Sequence, residues 1–291
     1  MNTNSEMTAM WLYSGGLCRK SGFFQHRSSI KYKLAASVLN TVLLLMFGIG
    51  PTTHSQPDTS GEANRYAESG QRKIRNIAGW TVHISAALMA TNAQATDGAL
   101  ELLTKQLEEI RNVVPKAAVL ELQKVPLWIS PEYPGVKPRA EYHPGAGWLR
   151  EHGRDPAMAK GVEFTNVRIF EAETRRMPNF ALHELAHAYQ DRVLSNANAE
   201  LKAAYQHAKA GGKYERVQRR DSQGKETIER AYAMVNVQEY FAESTEAFFS
   251  TNDFFPFTRA DLGKHDPDMA ALLAKIWGVV PVKAAKLPEH R

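Results

Sequence analysis

His183, Glu184 and His187 form a His-Glu-x-x-His pattern within Leu182-His183-Glu184-Leu185-Ala186-His187-Ala188-Tyr189. Residues four apart on an α-helix are rotated by about 400° and lie about 6 Å apart along the axis, so they share a face. Both imidazoles can then turn a ring nitrogen towards one zinc ion. Glu184 sits on the neighbouring edge, where its carboxylate can take a proton from water activated by the metal. Such a pattern also arises by chance, as two helix histidines beside a surface glutamate. Its meaning depends on what the rest of the chain supplies.

A catalytic zinc takes three protein ligands and leaves one position open. The best source of the third ligand is Glu239-Tyr240-Phe241-Ala242-Glu243. Glu239 and Glu243 again share a helix face, with Glu246 one turn further on as a surface or supporting carboxylate. Phe241, Ala242, Thr245, Phe248 and Phe249 are mostly apolar and are expected to face the core. Carboxylates beside such flanks need a cation, or burial costs several kcal/mol. Glu239 as ligand and Glu243 as hydrogen-bond partner of a ligating histidine satisfy both, because a ligating imidazole usually donates its other N–H to an oxygen. The competing reading is a solvated acidic face paired with Lys or Arg.

The elements that must position these residues are legible in part. Leu182, Leu185, Ala186, Tyr189 and Val193 recur at i, i+3, i+4, i+7 and i+11, which predicts a helix burying that stripe. Pro178 and Asn179 are suitable start residues. A second helix is expected over about 236–250. Strands are expected at 79–85, at 127–129 and over 162–170 just before the histidine helix. The last of these is a candidate edge strand that pairs with an extended substrate. Further helices are expected over 97–114, 117–122, 197–210 and 267–277. A hairpin is expected across 214–219 and 226–231, with Arg216, Arg219 and Arg220 on its solvated edge. Tyr142 to Trp148 reads as a loop, with His143 and His152 as loop residues beside the cleft. The cluster Phe248, Phe249, Phe254, Phe255 and Phe257 reads as core.

The chain has 291 residues, 43% of them hydrophobic, which suffices for one catalytic domain with a full core. Its single cysteine, Cys18, excludes an internal disulfide framework and a cysteine-based zinc site. The net charge of +5 comes from 36 basic and 31 acidic residues. Residues 1–55 contribute Arg19, Lys20, Arg27, Lys31 and Lys33 against Glu6 alone, so the remainder is nearly neutral. A nucleic-acid partner loses its main support there.

A cationic lead followed by the apolar run 34–50 has the layout of a secretory signal, with Thr53 and Ser55 at the −3 and −1 positions of a cleavage site. The run is also near the lower length limit for an uncleaved membrane anchor. The expected organisation is a signal or anchor over 1–55, a polar linker over 56–78, a catalytic domain over 79–280 and a tail over 281–291. The expected location is secreted or extracytoplasmic, with membrane contact only if the N-terminal segment is uncleaved. Strands ahead of helices predict an α+β class.

On His183-Glu184-x-x-His187 and Glu239-Tyr-Phe-Ala-Glu243, the chain resembles the gluzincin metallopeptidases, nearest to the catalytic domain of the anthrax lethal factor group. A closer similarity, over about 126–277, is to secreted bacterial proteins sharing the His-Glu-Leu-Ala-His-Ala-Tyr segment. The resemblance implies a zincin-like fold, a small twisted sheet packed on the histidine helix and a second, glutamate-bearing helix. It implies Zn2+ held by His183, His187 and Glu239, with Glu184 as general base. It implies a catalytic phenol from Tyr232, seven residues before the third ligand, and a supporting Asn236, three before it. The more distant thermolysin group implies that Glu243 orients a histidine. The function so implied is zinc-dependent hydrolysis of a peptide or protein substrate. Two other readings stay open: an inactive zinc- or peptide-binding module of the same fold, and a membrane-anchored interaction protein with incidental histidines. The ligands alone also allow hydrolysis of an amide other than a peptide.

Overall fold

The computed structural model describes residues 71–279. The expected signal or anchor, most of the linker and the C-terminal tail lie outside them. Among the described residues no helix is long and apolar enough to cross a membrane.

The fold is α+β. Five short strands form one mixed sheet: β1 (Arg72–Ile77), β2 (Trp80–Ser85), β3 (Leu127–Ile129), β4 (Ala140–Tyr142) and β5 (Val162–Phe164), in the order β1-β2-β3-β5-β4. The two outer pairings are antiparallel and the two inner ones parallel. Ala78 and Gly79 join β1 to β2 with φ of 52° and 98°, left-handed values that give a tight hairpin whose twist matches the strands. Residues 72–77 were expected in the linker. They carry no apolar alternation, because β1 is a charged edge strand with Ile74 63% exposed, and it is held by its ladder to β2.

Alternation sorts the sheet into two faces. Val82, Ile84, Leu127, Ile129, Val162 and Phe164 face the main core. Against them pack α2 (Ala93–Val113), through Leu100, Leu103, Leu107 and Ile110, and α6 (Phe180–Tyr189), through Leu182, Leu185 and Ala186. Between these helices come α3 (Lys116–Leu122), α4 (Ala146–Glu151) and α5 (Phe170–Arg176); α1 (Ala86–Thr91) precedes α2. The other face carries a small cluster of Trp128, Leu149 and Met158 beside a buried polar group described below.

Beyond the histidine helix, α7 (Ala199–Gly211), α8 (Val237–Phe249), α9 (Arg259–His265) and α10 (Pro267–Trp277) complete the helical side. A separate hairpin, β6 (Val217–Arg220) and β7 (Glu226–Glu229), precedes α8. Helix α8 lies directly against α6. Trp277 of α10 is sealed among Tyr189, Phe241 and Phe249.

Four further expectations are corrected. The run 162–170 is strand only to Phe164; a 3-10 turn (Val167–Ile169) and α5 follow, since Phe170 belongs with Phe164 and Phe180 in the core. That strand lies inside the sheet, and the edge on that side is β4. Tyr142 to Trp148, expected as loop, holds the end of β4 and the start of α4. Val193 is 44% exposed rather than part of the buried stripe. After Tyr189 the chain makes a π-turn, Gln190–Leu194, whose wider turn shifts the helical phase, so that Leu194 takes the place against the core.

Candidate metal centre

The histidine helix starts where Asn179 caps it, its side-chain oxygen accepting from the Leu182 N–H at 3.1 Å. Helix α8 starts in the same way: the Asn236 side chain accepts from the backbone N–H of Glu239 at 2.8 Å. Asn236 therefore fixes the first turn, on which Glu239 stands. Each helix has an apolar face in the core, and their packing turns the histidine and glutamate faces together.

Three donor atoms converge there. His183 Nε2 lies 3.1 Å from Glu239 Oε2 and 3.1 Å from His187 Nε2, and His187 Nε2 lies 3.4 Å from Glu239 Oε2. Ligands about 2.0–2.1 Å from a tetrahedral zinc stand about 3.3 Å apart, so the triangle has the size of one face of such a site. Its chemistry fits as well. His183 Nδ1 is 2.6 Å from Glu246 Oε1, which places the Nδ1 proton on that bond and leaves Nε2 as a lone pair facing a carboxylate oxygen. Two acceptors at 3.1 Å require a proton or a cation between them. These buried histidine and glutamate groups can hold a metal ion.

The partner of His183 differs from expectation. Glu243 stands 3.9 Å from His183 Nδ1, while Glu246, one turn further along, makes the bond. Glu239, Glu243 and Glu246 share one helix face, and the approach of α8 to α6 brings its later turn to the Nδ1 side. Glu243 instead accepts from Asn252 Nδ2 at 3.0 Å.

Burial opposes charge on His183, but Glu246 and Glu239 outweigh it and raise its pKa well above the ordinary imidazole value. Burial likewise works against the Glu239 carboxylate, yet the two histidines hold its pKa well below the usual range. Burial, with Asp253 and Glu246 alongside, pushes Glu243 well above the carboxylate range.

Glu184 is half-buried, and its Oε2 accepts from the backbone N–H of Tyr142 on β4 at 2.8 Å. Tyr232 lies in a 3-10 turn, Tyr232–Met234, that packs on α8. Burial raises its phenol pKa far above 10, assisted by the charges of Glu239, Glu243 and Glu184.

His143 does not join the centre. It is buried on the other face of the sheet, with Nε2 3.0 Å from Glu163, which also accepts from Tyr133 at 2.8 Å and from Arg154 at 3.2 Å. Arg154 bonds Glu141 as well, at 2.7 Å, so the group is a closed network. His152 is exposed and stacks on Trp148. Arg219 is half-buried against Asp253 and Glu229 rather than free on a hairpin edge. Phe248, Phe254 and Phe257 are buried as expected, and Phe249 and Phe255 partly so.

Sequence reasoning missed two contributors. The Tyr142 N–H left no trace, because a backbone donor carries no residue signature. Asp191, four residues past His187, accepts from the Tyr142 phenol at 2.6 Å, and only its helical spacing hinted at it. Compared with known proteins, the chain matches no family model, no curated protein and no solved structure.

Proposed function

We propose that the protein is a zinc-dependent peptidase of the zincin kind. The observation that carries this reading is the 3.1–3.4 Å triangle of His183 Nε2, His187 Nε2 and Glu239 Oε2, with a strand-anchored Glu184 in the adjoining helix position. A zinc ion held there supplies Lewis acidity, which acidifies water and polarises a carbonyl. Glu184 takes the proton of the attacking water and passes it to the leaving amine. The Tyr232 phenol, protonated across the physiological range, donates a hydrogen bond to the oxyanion that forms. Glu246 fixes the tautomer and orientation of His183. Neither Glu184 nor a phenol is needed merely to hold a metal, which favours an enzyme over a binding module.

The edge strand suits an extended peptide. Arg139 and His143 direct backbone bonds inwards to the β5 side, so by alternation Ala140 and Tyr142 turn theirs outwards. The Tyr142 N–H is taken by Glu184. Among the described residues no backbone group takes the Ala140 N–H and C=O or the Tyr142 C=O, which suits them to a substrate strand.

The test is cleavage of a mixed peptide library by the zinc-loaded chain, with Glu184→Gln as the blank. Cuts present in the wild type and absent from the variant support the reading. A folded, zinc-bearing wild type that makes no cuts overturns it.

A further inference from the structure

We infer that Asp191 is a positioning residue of this centre: it grips the Tyr142 side chain and so holds the edge-strand N–H that fixes the Glu184 carboxylate. The inference rests on the reading of Glu184 as general base. One residue of β4 is held at both ends by the histidine helix and its extension. Its backbone N–H meets Glu184 Oε2 at 2.8 Å, and its phenol meets Asp191 Oδ2 at 2.6 Å. Tyr142 itself is 7% exposed, and both of its bonds are partly buried.

The carboxylate that grips the phenol is itself fixed from two further sides. Lys160 Nζ lies 2.6 Å from Asp191 Oδ2, and Asn196 Nδ2 lies 3.4 Å from Oδ1. Lys160 holds a left-handed φ of 62°, a costly value for a residue with a side chain, while its N–H bonds the His143 carbonyl at 2.7 Å. Asp191 stands in the π-turn, where the widened helix departs from α-helical phase, a feature frequent at functional sites. Strand, helix extension and the loop before β5 thus meet at one carboxylate.

The consequence is mechanical. β4 is an edge strand of three residues, held on one side only by its ladder to β5. Without the phenol bond its outward N–H is free to drift from Glu184. A general base displaced by a fraction of an ångström loses rate but not substrate or metal.

The experiment uses the full chain, zinc-loaded, with Tyr142→Phe, Asp191→Ala, the double variant and the conservative Asp191→Asn, which keeps an acceptor for the phenol. Each of the first two is expected to lower kcat about 10–100-fold, with KM within about twofold. The double variant is expected to lose no more than either single, and Asp191→Asn to recover most of the rate. Zinc content is expected to stay at the wild-type value, and the melting temperature to fall by only a few degrees. Independently of activity, the Tyr142 amide is expected to exchange with solvent about tenfold faster in Tyr142→Phe and Asp191→Ala. A Tyr142 amide as protected as in the wild type overturns the inference, as does a rate loss that tracks lost zinc or a larger fall in melting temperature. If the wild type cuts no peptide, the peptidase reading fails by itself, and the amide exchange still decides whether Asp191 holds the strand.

Discussion

His183 and Glu246 face each other at 2.6 Å in the interior, with the carboxylate fully buried. This contact sets the tautomer of the first histidine, since a proton on Nδ1 leaves Nε2 free for a metal. It also places a carboxyl oxygen where, by accepting from Nδ1, it strengthens Nε2 as a donor to a metal. Glu243, nearer in sequence to Glu239, does neither.

The two glutamates should therefore separate in metal binding. Glu246→Gln is expected to weaken zinc affinity about 10–100-fold, whereas Glu243→Gln leaves it close to wild type. Competition with a chromophoric chelator measures both. Equal losses, or a larger loss from Glu243→Gln, would assign the orienting role differently.

Glu243 makes a second prediction, through stability. Its raised pKa means that the metal-free folded state binds more protons than the unfolded state above the ordinary value of 4.5. Stability contributed by this group is therefore lost as pH rises from there. Glu243→Gln removes the titration and keeps an acceptor for Asn252. In chelator, the variant is expected to melt higher than wild type at about pH 8 and equally at about pH 4. A variant that melts lower at the alkaline end would show the ionised side chain to be favourable.

Glu163 behaves in the opposite sense. Burial raises its pKa, but the bond to His143 and its neighbours at Ser130 and Tyr133 win and hold it below 4.5. A depressed carboxyl pKa gives stability that is fully present above the unfolded value and is lost as pH falls through the folded one. Glu163→Gln is expected to cost about 1–3 kcal/mol at neutral pH, because Tyr133, His143 and Arg154 lose a charged acceptor while Arg154 keeps its bond to Glu141. The variant should also flatten the acid limb of the stability profile. Denaturant melts from about pH 3 to 7 would show it, and an unchanged limb would assign acid unfolding to other groups.

Local spacing carried much of the site and little of its surroundings. The two histidines four apart and the separate glutamate face were legible because helical periodicity is written in the chain. The choice between Glu243 and Glu246 was not, because both share the Glu239 face and only the packing of α8 on α6 decides which reaches Nδ1. The π-turn was hidden for a related reason: Val193 fits an α-helical stripe, and nothing local announces an extra residue in the turn. Strand β1 has no alternation to read, and β4 is three residues long beside a proline and glycine turn. His143 reads as a cleft residue beside a turn, yet the alternation of β4 sends it to the opposite face, where Glu163 and Arg154 surround it.

Tyr232 offers the sharpest test of chemistry apart from metal binding. Burial first, then Glu239, Glu243 and Glu184, push its phenol far above the ordinary value of 10, so it keeps its proton throughout the working range. On the proposed reading it serves as a hydrogen-bond donor, and its ionisation is not expected to shape the alkaline limb of activity. Tyr232→Phe is expected to lower kcat about 10²–10³-fold with zinc affinity unchanged. The loss should be uniform from about pH 6 to 9, because a donor that never titrates there removes the same stabilisation at each pH. A pH–rate profile of the two proteins on one peptide checks this. A loss below about threefold would remove Tyr232 from the oxyanion, and a shifted alkaline limb would show that the phenol titrates during turnover.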